Sequence, residues 1–162
     1  MKNSENLAEM RLLEEGYDGV VIFNNLSYDT ALVGVTNTHR AVYNYDLMLE
    51  FLMSKEGFSD YTEASEWIDY NTLGSIPSFG GRSPIILYPK LYDEQTALEC
   101  ALDMGYEEGA VYIIPELDSA FLGISHSGAA VYDLEVAEEI ISGVTESNFY
   151  TENTPPIFMK TL

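Results

Sequence analysis

Residues 29–43, DTALVGVTNTHRAVY, recur as DSAFLGISHSGAAVY at 118–132, and this internal echo constrains the fold more than any other feature of the chain. The two stretches align without a gap at an offset of 89 positions, pairing Asp29 with Asp118, Ala31 with Ala120, Gly34 with Gly123, and Ala41, Val42, Tyr43 with Ala130, Val131, Tyr132. Leu32 answers Phe121, Val35 answers Ile124 and Thr36 answers Ser125, exchanges that a shared packing environment tolerates. Gly16-Tyr17 stands at the same offset from Gly105-Tyr106, each pair following a helical pattern, so the repeating unit is larger than a hairpin.

The echo predicts an α+β protein of two tandem copies, each a helix, a three-stranded antiparallel meander, a helix and a final strand. In the first unit, 1–90, a helix at 3–15 stops at Gly16 and strands follow at 20–23, 30–36 and 40–45, with Asn24, Asn25 and Ser27 supplying turn chemistry. Asp46 caps a helix at 47–55, an extra helix lies near 62–72, and a strand at 84–88 closes the unit. The second, shorter unit, 91–162, repeats the plan with helices at 93–104 and 134–141 and strands at 110–114, 119–125, 129–132 and 156–159. A repeat does not fix strand order, so two separate sheets and one compact domain are both compatible with it.

The strings DTALVGVT, RAVYNYD and EWIDYNT resemble strings that recur in uncharacterised small acidic proteins of gut-dwelling Clostridia and related bacteria. The resemblance lies mainly in the first unit, and it implies no activity and no site residue.

Charge is the second constraint. Against 27 Asp and Glu stand 7 Lys and Arg, a formal net charge of -20. Such a surface repels nucleic acid and anionic membrane alike and attracts basic partners. The imbalance is uneven, since residues 91–159 hold no Lys or Arg but 14 acidic residues, among them Glu99, Asp103, Glu107, Glu108, Glu146 and Glu152. A solubilising or halophilic surface is the plainer explanation, although it does not account for twelve tyrosines or for so lopsided a distribution.

Motifs that carry chemistry are thin. Cys100 is the only cysteine, which rules out an intramolecular disulfide framework and points to a reducing, cytoplasmic setting, with the thiol as a small core side chain. The polar opening MKNSENLAEM does not read as a signal peptide, and no run approaches the length of a membrane span. His39 and His126 both fall in the hairpin turns, read as exposed, but at positions that do not correspond: His39 aligns with Gly128, and His126 with Asn37. Neither has a second His or Cys at ligand spacing, so no metal is expected. The run at 123–128, GISHSG, only faintly resembles a nucleophile turn, and no Gly-rich phosphate loop opens a helix. No enzyme chemistry and no cofactor is expected.

What remains is the carboxylate pattern. Glu63, Glu66 and Asp69, with Asp60 and Glu50 near them, and Glu135, Glu138 and Glu139 form rows at helical spacing, about 5–6 Å between neighbours. Like charges so placed cost a helix a few tenths of a kcal/mol each, while presenting charge much as a nucleic-acid backbone does. Size, charge and the absence of enzyme motifs are similar to those of the acidic DNA-mimic inhibitors that phages and mobile elements use in anti-restriction and anti-CRISPR roles. The expectation is a non-enzymatic inhibitor that binds the basic surface of a nuclease, with no direct nucleic-acid or membrane contact and with homo-oligomerisation left open. A host adaptor or housekeeping binding module, with Tyr-rich sheet edges and a merely solubilising surface, is the alternative, followed by an unrecognised enzyme.

Overall fold

The computed structural model describes residues 7–23, 26, 28–142 and 154–162. The start of the first expected helix, the turn residues Asn24, Asn25 and Ser27, and Glu146 and Glu152 lie outside that set. The described chain is a mixed α+β structure whose six strands close into a single barrel in sequence order. These are β1 (Leu32–Thr36), β2 (Ala41–Asn44), β3 (Ile85–Pro89), β4 (Phe121–Ser125), β5 (Ala130–Asp133) and β6 (Ile157–Thr161), with β6 pairing back onto β1. The helices are α1 (Leu7–Glu14), α2 (Tyr45–Lys55), α3 (Tyr61–Trp67), α4 (Ala97–Asp103) and α5 (Leu134–Ile140).

The pairing pattern follows from how β2 and β5 end. Asn44 closes β2 and at once caps α2, its Oδ1 accepting the Leu47 N–H at 3.1 Å; Asp133 closes β5 and caps α5 by accepting the Val136 N–H at 3.1 Å. A chain that enters a helix at that point cannot fold back as a hairpin. It crosses over, and the next strand arrives parallel: β3 beside β2 and β6 beside β5, while the remaining pairs are antiparallel. Each half therefore supplies one hairpin and one crossover strand, which corrects the expected meander. Residues 20–23 and 110–114 form no strand. Both edges of β1 are taken by β2 and β6, and both edges of β4 by β3 and β5, so no edge is left for them.

Smaller corrections have equally local causes. Asn44 caps α2, and Asp46 sits in its first turn instead. The helix expected from 93 starts at Ala97, because Thr96 and Glu99 form a reciprocal capping box there. Strands β1 and β4 begin later than expected because Asp29–Ala31 and Pro115–Ala120 are 3-10 turns. The extra helix is α3, and it continues through a π turn at Ile68–Thr72 into a 3-10 segment at Leu73–Arg82.

The registers of the halves correspond at the same offset seen in the sequence. Leu32 pairs with Tyr43 and Gly34 with Val42 across a bulge; 89 positions on, Phe121 pairs with Tyr132 and Gly123 with Val131 across another. The bulge lets Leu32 and Val35, and likewise Phe121 and Ile124, join the outer clusters although they are three residues apart. Elsewhere alternation sorts the side chains. Val42, Ile85, Leu87, Val131, Ile157 and Met159 fill the interior with Ala129, Val33 and Leu122, while Ala41, Tyr43 and Ile86 face one outer cluster and Ala130, Tyr132 and Phe158 the other. Both hairpins turn alike: Thr36 Oγ1 accepts the N–H groups of Thr38 and Arg40, and Ser125 Oγ accepts those of Ser127 and Ala129.

Gly34 and Gly123 sit where neighbouring strands approach most closely. A Cβ on Gly34 would lie 2.8 Å from the Lys160 carbonyl oxygen and 2.8 Å from Met159 Cε, and one on Gly123 would overlap the Tyr88 carbonyl and meet Pro89 Cα at 2.8 Å. Two backbone atoms oppose Gly123, whereas one of the two at Gly34 is the end of a flexible side chain. Gly123→Ala is therefore expected to destabilise the protein by about 2 kcal/mol or more, and Gly34→Ala by less. Denaturant midpoints check the order; an unchanged midpoint for both variants would contradict the close approach.

Candidate functional site

All eight carboxylates singled out in the sequence, Glu50, Asp60, Glu63, Glu66, Asp69, Glu135, Glu138 and Glu139, are exposed. The helices that carry them bury the opposite face: Ala64 on α3, Ile68 beyond it and Ala137 on α5 are fully buried. Ile140, at helical spacing from the buried Ala137, is 43% exposed, and Val136 packs inward beside Leu134.

The two rows do not form one patch. α3 rests on α2, which packs on β2 and β3, whereas α5 packs on β5 and β6. In a six-strand ring β2 and β3 lie across from β5 and β6, so the rows occupy opposite sides of the barrel. Within the first row, Glu63 and Glu66 are on α3 and Asp69 is in the π turn, which breaks the regular helical spacing.

Several of these carboxylates also do local structural work. Asp60 caps α3 by accepting the Glu63 N–H at 2.8 Å, and Glu63 reaches back toward the Ser59 N–H at 3.4 Å. Glu135 lies in the first turn of α5, where the helix dipole favours a negative charge. Outside the rows, the Glu99 carboxyl is held below its usual range by the Tyr92 hydroxyl, with Thr96 adding to it. Glu138 and Glu139 differ. They fall in the last turn of α5, where the dipole disfavours them, and no basic residue stands in that turn.

The remaining sequence candidates have structural roles. His39 is exposed at a left-handed turn position, edge-on to Tyr17 at 6.1 Å. His126, expected to be exposed, is half-buried: its Nδ1 accepts the Ile86 N–H at 3.1 Å and its own N–H donates to the Ile86 carbonyl at 2.8 Å. Burial first, and Arg40 second, hold its pKa below 6.5. The Ser125 hydroxyl is buried in its own turn. Cys100 is buried beside Met104, and burial pushes its thiol pKa up. Among the described residues no three His, Cys, Asp or Glu side chains converge as a metal site, and no helix is long and apolar enough to cross a membrane.

Sequence reading missed the concavities. One of about 540 Å³ is lined by Glu50, Phe51, Lys55 and Tyr61 among others, and a neighbour of about 360 Å³ by Tyr45, Tyr61 and Glu66. A third, of about 440 Å³, lies in the second half between the start of α4 and residues 108–118. Helical periodicity marks which side of an element faces out, but a concavity between elements depends on tertiary packing. No protein-family model, no curated protein and no solved structure matches this chain.

Two outcomes follow from this geometry. Glu138→Lys and Glu139→Lys should each raise stability by a few tenths of a kcal/mol at low salt, by placing a cation at the negative helix pole; calorimetric melts check this, and a fall in midpoint would contradict it. His126 gives a pH dependence of known sign. Below its ordinary pKa of 6.5 the unfolded chain binds a proton that the folded site resists, so His126 removes stability as pH falls through 6.5 and stops doing so below its folded pKa. Replacement by Asn should flatten the stability curve between about pH 7 and pH 5 relative to the parent. A parallel curve would refute it.

Proposed function

We propose that this protein is a non-enzymatic acidic inhibitor that occupies the nucleic-acid-binding surface of a basic protein, a restriction or CRISPR nuclease being the kind of partner whose cleft fits. The observation that carries this reading is the placement of Glu138 and Glu139. Both are exposed at the helix pole where negative charge is unfavourable, in a stretch, 91–159, without a Lys or Arg to offset them. Charge retained against helix stability has a use elsewhere, and an electrostatic interface is the use the chemistry supports. With the rows on opposite sides of the barrel, each acts as a separate contact surface. In the same reading the two halves are tandem copies of one unit, an idea supported by the common 89-position offset of the β1–β2 and β4–β5 registers.

A second reading, a binding module with a solubilising surface, draws on the local roles of Asp60, Glu63 and Glu135 at helix starts. Its Tyr-rich sheet edges are not available, because the barrel is closed and Tyr28, Tyr43 and Tyr132 are in the core.

Cleavage assays separate the two. Inhibition of a restriction or CRISPR nuclease is expected to be relieved by excess DNA and to weaken steeply as salt rises. The triple variant Glu135→Lys, Glu138→Lys, Glu139→Lys is expected to fold and to lose at least about tenfold in affinity, whereas single changes do little. Triple variants of both rows that bind like the parent, or simultaneous binding of partner and nucleic acid, would overturn the mimic reading.

A further inference from the structure

We propose that the concavity beside α4 is a docking groove for a basic amphipathic segment of a partner protein, one that seats apolar side chains between flanking Lys or Arg residues. The proposal rests on the reading above only in taking the partner to be basic.

The groove is lined by Leu98, Val111, Ile113 and Pro115 together with Glu108 and Asp118. Asp118 is partly committed, since its Oδ1 accepts the Ala97 N–H at 3.3 Å; Glu108 is exposed. The apolar lining continues out of the groove along α4. Leu98 is 39% and Leu102 49% exposed, one helical turn apart, with Glu99 and Asp103 exposed beside them. Leucines at i and i+4 that face solvent on a seven-residue helix are not needed for the core, which Ala97, Cys100 and Ala101 already supply.

The first half matches this surface at Leu102, whose counterpart Leu13 is 52% exposed, but not at Leu98. At the offset of 89, Leu98 corresponds to Glu9, and Glu9 lines a smaller groove of about 240 Å³ with Leu12, Leu13, Tyr17 and Asp18. The same place in the fold thus carries a carboxylate in one half and an apolar side chain in the other.

Charge selects the occupant. A second copy would bring another acidic surface against Glu99, Asp103 and Glu108; residues 91–159 hold no Lys or Arg, and the neighbouring Lys90 spends its Nζ on the Asp93 carbonyl at 2.7 Å. The exposed Leu7, Met10 and Leu13 of α1 lie among Glu9, Glu14 and Glu15, so they fail on the same ground. A foreign segment with apolar residues at i and i+4 and flanking cations satisfies both the groove and its rim.

The test uses the full chain and three probes: an amphipathic Leu/Lys peptide, its Leu/Glu counterpart and oligolysine, with binding followed by calorimetry in parent and in the double variant Leu98→Ser, Leu102→Ser. Both leucines are exposed, so the variant is expected to fold, and its melting midpoint verifies this. The Leu/Lys peptide should bind the parent at least about tenfold more tightly than the variant. Oligolysine should not distinguish the two proteins, and the Leu/Glu peptide should bind neither. Should the variant itself unfold, Glu108→Lys, which reverses an exposed charge of the lining, supplies the same comparison. Equal binding of the Leu/Lys peptide to parent and variant overturns the proposal, as does self-association that requires Leu98 and Leu102. Failure here is distinct from failure of the mimic reading: the latter is decided by nucleic-acid competition for a nuclease, which the serine variant does not address.

Discussion

Closure of the barrel depends on two places where a strand backbone must come closer to its neighbour than a side chain allows. Gly34 lies against β6 and Gly123 against β3, on the two seams that join the halves, and each sits beside a bulge. A six-strand barrel has little interior to fill, and the side chains of Met159 and Leu87 lie where a Cβ on Gly34 or Gly123 would meet them. The bulge does the complementary work on the outside. By taking up one residue it lets Leu32 and Val35, or Phe121 and Ile124, both meet the helices.

Much of this was legible as local chemistry. The gapless echo located both hairpins, whereas the caps Asn44 and Asp133, which share the 89-position offset, were passed over for Asp46, the more conspicuous capping candidate in sequence. The strand count was not legible. Residues 20–23 have the apolar run of a strand, yet strand formation needs a free edge, and whether β1 has one is decided by β6, more than a hundred residues away. For the candidate site, exposure of the eight carboxylates followed from helical periodicity, whereas their division between opposite sides of the barrel followed from strand order, which no local pattern encodes.

The few cations sharpen the acidity of the surface, because two of them turn inward. Arg11 donates to the carbonyls of Asp29 and Leu32, tying α1 to the start of β1, and Arg40 donates through Nε to the Ser83 carbonyl at 2.8 Å and through Nη2 to the Ser83 hydroxyl at 3.1 Å. Arg40 stands where the second half has the buried Ala129, so the first half uses an arginine to hold the approach to β3 at a position that the second fills with a methyl group. Both arginines lie in the first half, and the corresponding positions of the second, Cys100 and Ala129, carry neither the charge nor the tie.

That asymmetry bears on how one fold could serve a binding role. In hairpin register and interior packing the halves correspond, and they meet at the β1–β6 and β3–β4 seams. In the outer layer they differ. The first half covers its outer cluster with α3 and the segment at Leu73–Arg82, bringing Phe58, Trp67 and Phe79 onto it. Among the described residues the second has no counterpart of α3, and Leu98 and Leu102 stay exposed among carboxylates, as Leu13 does in the first half. On the docking proposal, acidity and exposed leucine are parts of one arrangement: the negative charge that opposes contact with a second copy is the charge that favours an apolar segment carrying Lys or Arg.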